Sequence, residues 1–204
     1  MFTPAHTIAF HGCDETVGEA ILSGHEIVKP SQNDYDWLGH GAYFWEDDRQ
    51  RAEEWAEWMT RVGKCKSPFV IGAVIRLGFC LDLTRRSCID EITQAYDSLK
   101  DMLVKRVQPM PQNRKAGAGD NDLVMRDRDC AVLNHLHDLR RESRLQDYDT
   151  VRSPFTEGTE AFPGARIQAK THVQLCVRNL ECIEGYFRIP NTKQRIFHSP
   201  PAAA

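Results

Sequence analysis

The 204-residue sequence predicts a single α+β domain, and three observations predict it. Short β-branched and aromatic runs sit near both ends, segments of helical spacing lie between them, and two strand-like runs follow closely at the C-terminal side. Hydrophobic residues make up 41% and charged residues 27%, a globular composition able to bury a core. The net charge of −3 excludes a global positive field for nucleic acid and leaves room only for a local basic groove.

Residues 7–11 (TIAFH) predict a first strand ending at His-Gly-Cys, and residues 15–23 a short helix stopped by Gly24. After a polar stretch, WLGHGAYFW reads as a glycine-punctuated turn running into a strand. The next segment sets Ala52, Trp55, Ala56 and Met59 at helical spacing, with Asp47 and Asp48 favouring its start. FVIGAVIRL (69–77) predicts a strand buried on both faces. Ser87 and Asp90 read as a capping box ahead of a helix over 89–106, with Ile92, Tyr96, Leu99 and Leu103 as its buried stripe. Gln108–Arg128 reads as a long polar loop, 129–142 as a helix, and YDTVRSPF as a strand entering the loop TEGTEAFPGARIQ. THVQLCV and CIEGYFRI then predict an antiparallel pair, and 199–204 a loose tail after a domain of residues 1–198.

Seven cysteines, an odd number with no C-x-x-C pair, argue against a disulfide framework and read as small buried hydrophobes. No apolar run is long enough for a membrane span, and the first residues lack a signal-peptide pattern, so the cytoplasm is the expected location. Cys130, His135 and His137 do not share a helix face, so no metal site is expected.

Three segments combine residue types with chemistry. Phe10-His11-Gly12 closes the first strand; its histidine reads as structural or as a ligand contact, and its glycine permits close backbone approach. Gly39-His40-Gly41-Ala42-Tyr43-Phe44 opens backbone space ahead of an aromatic pair, and reads as a turn with core aromatics or as a binding block. It is not a dinucleotide fingerprint, because a strand follows the glycines. In Thr171–Val177, alternation puts His172, Gln174 and Cys176 on one face and Val173, Leu175 and Val177 on the other.

In that order, the three segments resemble the ADP-ribosyltransferase superfamily of the diphtheria-toxin and poly(ADP-ribose) polymerase type, the H-Y type, in an uncharacterised bacterial branch sharing the HGCD and YDWLGHGAYFWE patterns. The resemblance implies a split antiparallel β-sheet core with flanking helices, residues 85–150 forming a helical and loop insertion outside it. It implies NAD as substrate, held by His11, Gly12, Gly39, Gly41, Tyr43 and Phe44, with Tyr43 stacked on nicotinamide. Asn33, Asp34, Tyr35 and Asp36, ahead of the block, read as lining of the cofactor pocket or as a polar turn, with Asp34 and Asp36 the candidate contacts by position. The family glutamate that holds the ribose 2′-hydroxyl is replaced here by Gln174, which can accept a hydrogen bond but has no charge. Glu157, or secondarily Glu160, is the candidate carboxylate from a loop, or a solvated side chain. Arg152 reads as a phosphate contact or a surface charge.

Members without the glutamate usually transfer single units, so the implied activity is mono-ADP-ribosylation of a macromolecular acceptor, protein or nucleic acid. A bacterial toxin or phage-defence effector is implied, with an antitoxin or immunity protein as a possible partner and no membrane. NAD glycohydrolysis and a catalytically silent NAD- or ADP-ribose-binding module are the alternatives. Arg114 and Lys115 in the long loop are few beside the phosphate contacts that drive nucleic-acid affinity, and that loop lacks a stacking platform.

Overall fold

The structure, a computed structural model, describes residues 6–117 and 123–190. The expected tail at 199–204, the end of the domain at 191–198 and Asp120–Asp122 of the polar loop lie outside the described residues. The strands are β1 (His6–Asp14), β2 (Ala42–Glu46), β3 (Pro68–Arg76), β4 (Cys80–Asp82), β5 (Thr150–Phe155), β6 (His172–Val177) and β7 (Ile183–Arg188). The helices are α1 (Glu15–Leu22), α2 (Arg49–Arg61), α3 (Arg86–Lys105) and α4 (Asp127–Glu142). The mixed α and β content agrees with the sequence expectation.

One seven-stranded sheet runs in the order β4-β5-β6-β2-β1-β3-β7, where the resemblance implied a split core. All neighbours are antiparallel except β4 and β5. The join between its halves is narrow: β1 and β2 pair only at Ala9↔Glu46 and Phe10↔Trp45. The expected antiparallel pairing of the last two strands is corrected. β6 lies between β5 and β2, while β7 forms the far edge beside β3.

That connection dictates the shape of the sheet. Four strand spacings span about 19 Å in a flat sheet, and the five residues 178–182 reach about 20 Å only when fully extended. They contain a 3-10 turn, Leu180–Cys182, so the halves must curl towards each other. Accordingly Ala42, Phe44, Leu175 and Val177 from one half share a core with Ala9, Ile71, Ala73 and Ile75 from the other. A second core forms where α3 and α4 cover Leu81, Val151 and Cys176 with Ala95, Leu99, Val132, Leu133 and Leu136. The β6 alternation read from sequence holds: Cys176 points into the second core, Leu175 and Val177 into the first.

Helix starts depend on acids. Asp14 caps α1 through the Thr16 N–H at 3.0 Å and also accepts from the Lys66 and Ser67 N–H groups, tying the helix to the β3 approach. The Thr16 hydroxyl, 2.7 Å away, and these backbone donors hold its carboxyl well below the usual range. Asp48 caps α2 by accepting from Arg51 N–H at 3.0 Å. The Ser87–Asp90 capping box does not form. Asp82 instead accepts from Thr84 N–H and Oγ1, the helix begins at Arg86, and Asp90 pairs with Arg86 at 2.8 Å. Gly24, at φ +77°, terminates α1 as expected.

Candidate functional site

The three motif segments, far apart in sequence, lie on the adjacent strands β1, β2 and β6. Beyond Phe10↔Trp45, β1 and β2 diverge, and His11 fills the wedge. Its Nδ1–H donates to the Tyr43 carbonyl at 2.8 Å, and its ring sits 5.6 Å from Phe44. Burial pushes this imidazole below its ordinary value, opposed by the Tyr43 carbonyl bond. Gly12 lies beneath α2, where a Cβ would collide with the Ala52 carbonyl. Phe44 is fully enclosed between the two halves of the sheet.

The glycine block has a local architecture. Gly39 adopts φ +77°, and an added Cβ would sit 2.9 Å from Asn134 Oδ1. At Gly41 it would strike Cys176 Sγ and come within 2.7 Å of the Val177 carbonyl. Tyr43 clasps this loop: its hydroxyl accepts from Leu38 N–H at 2.9 Å and donates to the Gly39 carbonyl at 2.8 Å. Its ring packs against the second core, and burial raises the phenol well above its ordinary value. Asp34 is exposed, whereas Asp36 is buried and accepts from Asn33 N–H at 2.8 Å.

Gln174 is 8% exposed, and its Oε1 accepts the Trp37 indole N–H. Trp37 stacks on Phe155 and is capped by the Arg126 guanidinium 5.6 Å from the ring centroid. Two residues along the same face, the His172 side chain is 1% exposed. It is ringed by Trp37, Trp45 and Phe155 at 6.1, 6.5 and 5.8 Å between centroids. Its Nδ1–H donates to the Lys170 carbonyl at 2.7 Å, and its Nε2 meets no protein partner. Burial pushes it below its ordinary value.

Glu157 joins this cluster, its Oε2 2.7 Å from Arg51 Nη2 and 3.8 Å from His172 Nδ1. Arg51 also pairs with Glu54. Against the two cations Arg51 and Lys170 stand three carboxylates, Glu54, Glu157 and Asp48, so one negative charge is in surplus around His172. A cavity of about 410 Å³ opens on the other side of Trp37 and Phe155, lined by Leu83, Tyr96, Arg128 and Ser153 among others. Ser153 is the β5 residue opposite Gln174.

The structure therefore brings Gln174, His172, Glu157 and Arg51 together, with His11 and Tyr43 on the strands beside them. It leaves Asp34 apart from them, and Phe44 touches only the His11 ring, from the first core. Glu160 accepts from the Gly164 N–H in the outer loop. Arg152 is held by Glu46 at 2.6 Å and Asp82 at 3.4 Å. Trp37, Arg51 and His172 escaped selection from sequence. The signal for Trp37 was its position directly before the glycine block; the roles of Arg51 and His172 arise only by tertiary contact. Among the described residues, no group of three or more His, Cys, Asp or Glu side chains is arranged to hold a metal, and no helix is long and apolar enough to cross a membrane.

No protein-family model and no solved structure matches the chain. The chain is similar to an uncharacterised protein of Methanocaldococcus jannaschii, MJ0359, at 24% identity over 203 residues, covering 90% of this chain and 87% of that protein.

Proposed function

We propose that the chain binds NAD and transfers single ADP-ribose units to a macromolecular acceptor. The observation that supports this reading is the placement of His11, Tyr43 and Gln174 on three adjacent strands, His11 bonded to the Tyr43 carbonyl, with the Glu157–Arg51–His172 cluster on the Gln174 face. In the reaction, the bond between ribose C1′ and the nicotinamide nitrogen breaks, and its electron pair returns to the ring. The acceptor's lone pair forms the new bond to C1′, and the acceptor's proton passes to a base. Positive charge builds on the sugar before the acceptor bonds.

Gln174 can position a sugar hydroxyl through its carbonyl oxygen without neutralising that charge. The surplus negative charge among Glu54, Glu157 and Asp48 supplies the electrostatic part. Because Trp37 already donates to Gln174 Oε1, a sugar hydroxyl must take that oxygen's second lone pair or displace the indole. The same occupancy, with Tyr43 spent on its own loop, favours a second reading, a module that binds NAD or ADP-ribose without turnover.

Incubation with adenylate-labelled NAD and a cell lysate separates the readings. Nicotinamide release with labelled macromolecule supports transfer. Free ADP-ribose alone indicates hydrolysis. Calorimetric NAD binding without nicotinamide release indicates the silent module, and neither binding nor release overturns all three.

A further inference from the structure

On α2, two indoles face solvent beside the cluster just described. Trp55 is 41% exposed and Trp58 38% exposed, and their rings stack at 4.8 Å and 30°. Trp55 lies 6.0 Å from Trp45, which lies 6.5 Å from His172. A series of aromatic rings thus runs from the surface to the Glu157–His172–Arg51 cluster. Tryptophan is seldom left this open, and a stacked pair rimmed by polar groups marks a binding surface.

The charges around the pair identify the occupant. Lys64 Nζ stands 5.7 Å over the Trp58 ring, and Arg61 and Lys66 are exposed at the same end of α2. Of the acids that share the helix, Glu53 pairs with Arg49 and Glu54 with Arg51, while Glu57 is exposed and lines a groove with Phe69 and Arg188. A flat π surface with cations at its rim matches a nucleobase and its phosphate. A base taking the outer face of Trp58 frees the Lys64 ammonium to pair with that phosphate.

We infer that the Trp55–Trp58 pair is a docking platform for single-stranded nucleic acid, which holds a base beside the candidate centre as the acceptor. This rests on the transferase reading for its purpose, though not for its binding. The three cations at this end of α2, Arg61, Lys64 and Lys66, favour a phosphate-bearing occupant over a protein chain.

The test is fluorescence anisotropy of labelled twelve-nucleotide oligo(dT) and oligo(rU) with the full chain, without NAD, at 50 and 200 mM salt. Saturable binding is expected, about tenfold weaker at the higher salt for two or three phosphate contacts on a single strand. Trp58→Ala is expected to weaken binding by about 5- to 150-fold, the loss of one base stack. Trp58→Phe, which keeps a ring, should retain most of it, and Lys64→Gln should flatten the salt dependence. Absence of binding by both oligonucleotides, or equal affinity in folded Trp58→Ala, overturns the platform. NAD-dependent labelling of protein without oligonucleotide binding sinks the platform and leaves the transferase reading standing. Trp58-dependent oligonucleotide binding without nicotinamide release supports the platform and removes the transferase reading.

Discussion

Replacing Tyr43 by Phe keeps the ring and removes only the hydroxyl, so it separates what the phenol does for the loop from what the ring does for a ligand. The hydroxyl satisfies the Leu38 N–H at 2.9 Å and the Gly39 carbonyl at 2.8 Å. The carbonyl keeps a weak donor in Cys176 Sγ at 3.6 Å, whereas the amide of the buried Leu38 loses its partner. An unmet buried donor costs about 1–3 kcal/mol, so a loss of about 2 kcal/mol is expected. For a chain of this size that lowers Tm by about 4–8 °C. Urea unfolding and thermal melts of the two proteins give the figure, and nicotinamide release at 20 °C gives the functional arm. A loss below about 0.5 kcal/mol would refute the clasp. Unchanged stability with abolished NAD turnover would instead make the hydroxyl a substrate contact.

His137 is fully buried in α4 with neither ring nitrogen partnered in the protein, and burial beside Arg178, Arg141 and Arg140 pushes its imidazole down to about 3. Its folded value lies below the unfolded one, so its contribution is present above about pH 6.5 and lost as pH falls towards 3; between pH 7 and 5 it removes on the order of 2 kcal/mol. His137→Leu should lessen the fall in stability over that interval by about this amount, measured by urea unfolding at both pH values; an equally steep fall would contradict the burial. His11 and His172, both lowered, leave a residual slope of the same sign. Gln174→Glu restores charge beneath Trp37 and should raise nicotinamide release on the order of tenfold; an unchanged rate would mean that residue 174 only positions. Glu157→Gln should lower release by about tenfold or more, yet change stability by less than about 1 kcal/mol because its ion pair is partly exposed; full activity in this variant would remove Glu157 from the mechanism.

Local periodicity made much of the fold legible. The alternation in β6 sorted His172, Gln174 and Cys176 from Val173, Leu175 and Val177 because side-chain direction depends on the strand alone. Pairing partners were not legible, since β6 pairs with β5 across only 17–27 residues but with β2 across 129–135, a contact no local pattern announces. The α3 start was misread because the helix begins one residue before Ser87 with Arg85 at its N-cap and no side-chain cap, while Asp82 closes the turn ahead of it onto Thr84. At the site, the glycine block was visible as a motif. That Tyr43 spends its hydroxyl on the same block, and that Trp37 folds over Gln174, are facts of tertiary packing.

The interior position of β6 also sets an order of assembly. Until residues 172–177 take their place, β5 and β2 each present an unpaired edge towards the gap that β6 will fill. Pairing of β6 with β5 closes a short loop, whereas its pairing with β2 joins residues 129–135 positions apart, the kind of long-range contact that forms slowly. During that delay two open strand edges sit beside apolar surface, the condition under which newly made chains associate with one another or engage chaperones.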